Sequence, residues 1–211
     1  MKWEELLYKN LDSPIFSTGF LLADGTNMAR VRVQLGRWVK AGKLIQLRRG
    51  VYCLARLYRK VEPHPFFAAN FIKQPSYVSL QSALSYWGMI PEYVPTITSI
   101  TTGRPEELKN ELGSFMYRHI RKNLFYGYRE VPLGNKLKAL LAVPEKALLD
   151  LMYLTPGADT MEFLQELRLQ NLEKLEMKRF EELAMKSKSL KLRKSIELVR
   201  ALAAQGEGEE L

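Results

Sequence analysis

The sequence is poor in the residues that build disulfide frameworks and metal sites. Its 211 residues include one cysteine and two histidines. A single cysteine excludes an internal disulfide and any zinc site built on several thiolates, and two histidines without ligand spacing predict neither metal nor cofactor. No run of about 18 apolar residues is present, and the first residues, MKWEE, lack the features of a signal peptide. We therefore predict a cytoplasmic protein with no membrane partner.

Acidic residues are missing from one long stretch. Residues 25–60 contain ten lysines and arginines but no aspartate or glutamate. Residues 1–60 hold twelve basic and four acidic residues, a net charge of +8 out of +9 for the whole chain. Because a solvated surface normally mixes both signs, this stretch predicts a polyanionic partner. An anionic membrane would also attract it, but a membrane-surface helix needs a long apolar face and no hairpin after it.

The first sixty residues are predicted to form three helices and a hairpin. Helices are expected over residues 2–11, over 16–23 with Ser17 or Thr18 as N-cap, and from Thr26-Asn27 to Ala41 with Gly42 at the end. The segment KLIQLRRGVYCLA (residues 43–55) has two β-type apolar runs around Gly50, which predicts a hairpin with Arg48 and Arg49 at its tip. This order and charge are typical of a winged helix-turn-helix domain, which we place at residues 1–60.

The third helix carries the predicted DNA-binding site. Its apolar face is expected to comprise Met28, Val31, Leu35, Trp38 and Val39. On the opposite face, Arg30, Gln34 and Arg37 follow i, i+4, i+7 spacing, and such side chains can bind guanine and adenine edges in the major groove. The predicted DNA-binding residues are Thr26, Asn27, Arg30, Gln34, Arg37, Lys40, Arg48 and Arg49.

Each part of this site has a specific expected role. Thr26 and Asn27 begin the helix, where a backbone N–H can bind phosphate. Arg48 and Arg49 would hold phosphate at the hairpin tip, while Arg32 is expected at the buried edge, in backbone contact or packing. The alternative is a merely solvated helix face, but such faces commonly pair Glu with Lys, and no acid is present for pairing.

A second, mixed α/β domain is predicted over residues 66–211, after the linker VEPHP (residues 61–65). Strands are expected at 96–102, 115–120 and 126–131, and the chain is predicted helical from about 159, with a disordered tail from about 206. The overall fold class is therefore α+β. Residues 101–104 (TTGR) are expected between a strand and a helix, a common phosphate-binding position, but they lack both known glycine-rich patterns and are interpreted as a turn.

Three side chains that could take part in chemistry are not assigned a catalytic role. Glu145 and Asp150 fall in a helix opened by Pro144, about 140° apart around its axis, so they do not converge as a catalytic pair would. Glu145 suits the helix N-terminus, and Asp150 is expected to pair with a basic residue. Cys53, in an apolar strand, is predicted to be a small core residue.

Four segments of the chain together resemble the AbiEi-type antitoxins, transcriptional regulators of bacterial abortive-infection (type IV) toxin–antitoxin systems for phage defence. They are LRRGVYCL (residues 47–54), YVSLQSALSYWGMIPE (77–92), TTGRP (101–105) and VPEKALLDLMYL (143–154). The resemblance implies a winged helix that binds inverted repeats upstream of its own operon. It also implies a C-terminal domain needed for antitoxin activity against a nucleotidyltransferase-type toxin.

The sequence therefore predicts a DNA-binding transcriptional repressor that is not an enzyme. It is expected to be a monomer or weak dimer that pairs on its own promoter, because one winged helix contacts few bases. One alternative is a nuclease or nucleotidyltransferase with an accessory winged helix, although no carboxylate cluster for Mg²⁺ is visible. Another is a protein–protein module whose basic domain only adds solubility.

Overall fold

The computed structural model describes residues 2–10, 13–21 and 27–206, which form a mixed α+β structure. Within these ranges nine α-helices and two β-sheets are present. The helices are α1 (Trp3–Lys9), α2 (Thr18–Leu21), α3 (Met28–Lys40), α4 (Pro65–Ile72), α5 (Leu80–Tyr86), α6 (Pro144–Leu154), α7 (Met161–Glu166), α8 (Met177–Lys186) and α9 (Leu190–Gly206). The strands are β1 (Ile15–Ser17), β2 (Leu44–Arg48), β3 (Val51–Leu54), β4 (Ser76–Val78), β5 (Thr96–Thr101), β6 (Glu106–Asn110), β7 (Gly113–His119), β8 (Tyr128–Pro132) and β9 (Lys138–Ala142).

A small antiparallel sheet organises the N-terminal region. Its strand order is β1-β3-β2, and the predicted hairpin is confirmed as β2 and β3. The predicted helix over 16–23 is wrong at its start, because Phe16 pairs with Tyr52 in β1. The Ser17 hydroxyl accepts a hydrogen bond from the Phe20 N–H at 3.3 Å, so the helix begins only at Thr18.

A six-stranded sheet organises the C-terminal region, with strand order β6-β7-β5-β4-β9-β8. It is mixed, since β5 and β7 run parallel, as do β4 and β9, while the other neighbours are antiparallel. The three predicted strands are present as β5, β7 and β8, but the helix expected after residues 101–104 is wrong. That segment leads into β6, which pairs with β7 along its whole length.

The small sheet packs on helices with one face and on the C-terminal region with the other. Phe16, Tyr52 and Leu54 join a core with α1 and α3. Side chains from the opposite face are buried in the core of the large sheet, and they are Ile15, Leu47, Val51 and Cys53. A β-bulge at Leu47 shifts the pairing of β2, since Gln46 faces Tyr52 and Arg48 faces Val51. The burial of Cys53 confirms that it is a core residue.

The last part of the chain is helical, as predicted. The helical segments are interrupted at Asn171, which has φ +52°, and around Lys188, which has φ +56°. The tail predicted to be disordered lies outside the described residues beyond 206. In the described part of the chain, no helix is long and apolar enough to cross a membrane.

Candidate nucleic-acid interface

Local sequence fixes both ends of α3. The Asn27 side-chain oxygen accepts hydrogen bonds from the N–H groups of Ala29 at 2.9 Å and Arg30 at 3.4 Å. These bonds satisfy donors that the first helical turn leaves free. At the other end Gly42 adopts φ +66°, a conformation that ends helices and that glycine adopts without strain. The predicted helix is thus confirmed, with Asn27 as its cap, whereas Thr26 lies outside the described residues.

The inner face of α3 anchors it to the small sheet. Val31, Leu35 and Trp38 are buried in the core shared with α1 and β3, as the spacing predicts. Met28 was expected on this face but is 42% exposed, because it occupies the first turn, beyond the edge of that core. Three buried side chains over two helical turns therefore hold the helix in one orientation.

The outer face of α3 is a solvent-exposed row of cations. Arg30, Arg37 and Lys40 are exposed, and Gln34 is half-buried between Arg30 and Arg37. Val33, on the same side, is 57% exposed. Arg32 is exposed as well, so the prediction that it lies at a buried edge is wrong. None of these four cations forms an ion pair with any described residue.

The two arginines at the hairpin tip differ in their surroundings. The Arg48 guanidinium turns back, donating a hydrogen bond to the Ile72 carbonyl at 3.0 Å and lying 3.7 Å from Glu106. Arg49 is exposed and has no ion-pair partner among the described residues. This placement does not favour the predicted phosphate contact for Arg48, because its guanidinium is already bound by the C-terminal region.

Three of the four other basic residues of the acid-free stretch contact partners close to them in the fold. Lys43 lies over the Trp3 ring at 5.0 Å from its centroid. Arg59 pairs with Glu62 at 2.5 Å, and the same carboxylate lies 3.8 Å from Arg56. Within this stretch, the exposed cations without an ion-pair partner among the described residues are those of α3, Arg49 and Lys60.

A buried polar cluster in the C-terminal region was only partly anticipated. Lys146 and Asp150 form an ion pair one helical turn apart on α6, confirming that Asp150 pairs with a basic residue. The other Asp150 oxygen accepts hydrogen bonds from the Tyr77 hydroxyl at 2.9 Å and the Ser79 hydroxyl at 2.8 Å. Lys146 and Asp150 are 3% and 1% exposed. Burial raises the pKa of Asp150, and the Lys146 ammonium opposes that shift.

This cluster connects structural elements and offers no open reaction site. The Asp150 carboxylate joins α6 to β4 and is shielded from solvent on all sides. Glu145 accepts a hydrogen bond from the Glu176 N–H at 3.0 Å, so it connects α6 to the start of α8. Residues 2–10, 13–21 and 27–206 contain no group of three or more His, Cys, Asp or Glu side chains that could hold a metal ion.

Comparison with known proteins places the chain in no family. No family model matches the sequence, and a search of curated proteins finds no match either. The geometry of α3 and the hairpin is therefore the observation on which a function can be based.

Proposed function

We propose that this protein is a transcriptional repressor that binds double-stranded DNA through an N-terminal winged helix-turn-helix. The observation that carries the proposal is the outer face of α3, where Arg30, Arg37 and Lys40 stand exposed without an acidic partner in the described chain. A row of unpaired cations along one face of a helix can bind the phosphates and base edges of a major groove. The element order α1-β1-α2-α3-β2-β3 supports the winged-helix assignment.

In this proposal the α3 side chains divide into base contacts and phosphate contacts. Arg30 and Arg37 donate bidentate hydrogen bonds to guanine, and Gln34 pairs with adenine. The exposed Val33 methyl groups suit the methyl group of thymine, an apolar contact in the same groove. Lys40 and Arg49 bind phosphates, which position the helix without specifying sequence.

The wider biological role that we propose rests on the family resemblance of the four segments. The protein would repress its own operon in the bacterial cytoplasm, with two copies pairing on an inverted repeat. Its C-terminal domain would neutralise a nucleotidyltransferase-type toxin encoded nearby, and the protein itself would have no enzymatic activity. Relief of that neighbouring gene's toxicity by co-expression supports this role, and unrelieved toxicity contradicts it.

The variant Arg30→Ala/Arg37→Ala tests the groove assignment. The probes are two labelled duplexes of equal length, the DNA immediately upstream of the gene and a scrambled version of it. Each bidentate contact provides about 1–3 kcal/mol of discrimination, so the preference for the upstream duplex should fall by at least ~30-fold. Salt-sensitive binding to both duplexes should remain, because the phosphate contacts are intact.

A charge-matched control separates base recognition from bulk electrostatics. Arg129→Ala/Lys138→Ala also removes two positive charges, but from β8 and β9 at the edge of the large sheet farthest from β6. This control should keep the preference for the upstream duplex. Equal losses of affinity on both duplexes in Arg30→Ala/Arg37→Ala would refute the groove assignment, and a wild-type protein that binds neither duplex would refute the proposed function.

A further inference from the structure

A second acid-free basic segment runs from β7 to the start of β8, and two of its cations lie just past the end of β7. Residues 112–129 contain four lysines and arginines and no aspartate or glutamate. Arg121 and Lys122, within this segment, are exposed, and so is Arg104 in the loop between β5 and β6. The charged side-chain groups of these three residues, here called the sheet-end patch, have no ion-pair or hydrogen-bond partner in the part of the chain that the structure describes.

Backbone pairing brings the members of the sheet-end patch to the same place. The parallel strands β5 and β7 end together, with Thr101 opposite His119. The Ile120 N–H donates to the Thr101 carbonyl at 2.9 Å, and the His119 Nδ1 lies 2.9 Å from the Gly103 carbonyl oxygen. Arg121 directly follows Ile120, and Arg104 directly follows Gly103. Both arginines are therefore one residue away from the contacts that join the ends of β5 and β7.

The hairpin tip lies against this same end of the sheet. Glu106, two residues after Arg104, is 3.7 Å from the Arg48 guanidinium and 2.5 Å from the Lys73 ammonium. A Cβ atom at Gly103 would lie 3.9 Å from the Lys73 side chain. The tip residues and the loop that carries Arg104 therefore flank one salt-bridged group, which fixes their relative position.

The acids near the sheet-end patch do not cancel its charge. Glu106 is neutralised by Lys73 and Arg48, and the hydrogen bond from Lys73 lowers the pKa of its carboxyl group. Glu107, the next residue of β6, is exposed and must face the opposite side of the sheet from Glu106, because side chains alternate along a strand. Neither of these two acids therefore forms an ion pair with a cation of the sheet-end patch.

We infer that the sheet-end patch continues the DNA-binding surface, so that the C-terminal region binds the phosphates of duplex flanking the segment contacted by α3. This inference deepens the proposed function and rests on it. Arg49 adjoins Arg48, whose guanidinium lies 3.7 Å from Glu106, and this closeness of the tip to the loop that carries Arg104 favours duplex DNA as the ligand of both. The salt-bridged Glu106 group holds the two phosphate-binding surfaces in fixed geometry, which lowers the ordering cost of using both.

The variant Arg104→Ala/Arg121→Ala tests this inference on the intact 211-residue chain. Its affinity for the upstream duplex and for the scrambled duplex is measured by fluorescence anisotropy between about 50 and 200 mM salt. Each lost phosphate contact should make the slope of log K against log salt shallower by about 0.9, up to ~1.8 for the pair. The preference for the upstream duplex should not change, because α3 is untouched, and the control Arg129→Ala/Lys138→Ala should retain the wild-type slope.

A shortened upstream duplex provides a second measurement. Removing the flanking base pairs should reduce the slope of the wild-type protein more than that of Arg104→Ala/Arg121→Ala, which keeps only Lys122 of the patch. If the test and control variants have the same slope on the full duplex, the patch does not bind DNA, although α3-dependent recognition stands. If the patch variant loses binding to single-stranded RNA but not to duplex DNA, the patch serves another nucleic acid and the inference is wrong.

Discussion

The outer face of α3 and the buried cluster around Asp150 place charge in opposite environments. On α3, Arg30 and Arg37 face solvent and have no acidic partner among the described residues. In α6, Lys146 and Asp150 are withdrawn from solvent, ion-paired and surrounded by the hydroxyls of Tyr77 and Ser79. The first set can exchange water and counterions for a ligand, whereas the second has already exchanged them for protein partners.

The difference shows where substitutions should affect function and where they should affect stability. Replacing an exposed, unpaired cation changes the stability of a protein by no more than about 0.5 kcal/mol, so its loss is visible only in binding. Removing one member of a buried pair leaves a desolvated charge without a partner, so its loss is visible in folding. Three measurements can break or sharpen this contrast.

The largest expected effect is that of Asp150→Ala. This change leaves the Lys146 ammonium buried without its carboxylate and removes the acceptor of two hydroxyl groups. We expect the free energy of unfolding to fall by about 3–5 kcal/mol in urea titrations. The double variant Lys146→Met/Asp150→Ala should regain part of that stability, because no unpaired charge remains. A loss below about 1 kcal/mol for Asp150→Ala would contradict the expectation that the buried cluster stabilises the fold.

An intermediate effect is expected from Cys53, where the small sheet meets the C-terminal core. Burial raises the pKa of its thiol from 9.0 to about 11, against an opposing contribution from Arg59. The unfolded chain loses this proton first, so the thiol's contribution to stability should decrease as pH rises from about 9 to about 11, on the order of 2 kcal/mol.

The variant Cys53→Ala isolates this contribution. Half-buried tyrosines such as Tyr126, whose pKa burial raises to about 12, titrate in both proteins, so the informative quantity is the difference between the two pH profiles. Unfolding free energies from urea titrations should fall less steeply above pH ~9 in the variant. Parallel profiles would show that the thiol is not desolvated at this junction.

The smallest effects are expected from the neighbours Arg48 and Arg49. Arg49 is an exposed cation without an ion-pair partner among the described residues, whereas the Arg48 guanidinium is bound by the C-terminal region. Arg49→Ala should make the salt dependence of DNA binding shallower by about 0.9 and leave stability unchanged. Arg48→Ala should do the reverse, costing about 1 kcal/mol through the lost hydrogen bond to Ile72, with little change in slope. If both variants show the same decrease in the salt dependence of DNA binding, Arg48 also binds phosphate.

The sequence predicted the helices and strands whose ends are determined by residues close in the chain. The bounds of α3 follow from the Asn27 cap and from Gly42, and the hairpin follows from Gly50 between two β-type runs. Strand β1 was missed because its three residues gain their structure from β3, more than thirty positions later. Strand β6 was missed because EELKN has little intrinsic preference for a strand and is defined by its pairing with β7.

Long-range contacts also explain why the surroundings of two side chains were not predicted. Nothing near Arg48 in the sequence indicates that its guanidinium will donate a hydrogen bond to the Ile72 carbonyl and lie close to Glu106. The burial of Lys146 is equally hidden, because lysines are rarely found in a protein core. The one sequence pattern that could have suggested it is the i, i+4 spacing of Lys146 and Asp150 within an otherwise apolar helix.

The division of the small sheet between two cores has a consequence during synthesis. When β3 leaves the ribosome, α1 and α3 can already cover one face, but Leu47, Val51 and Cys53 on the other face wait for α4 and β6. Strand β6 ends 56 residues after Leu54. At roughly 5–20 residues per second, the apolar face stays bare for about 3–11 s. A nascent chain in that interval presents an open sheet surface, the kind of surface that chaperones bind.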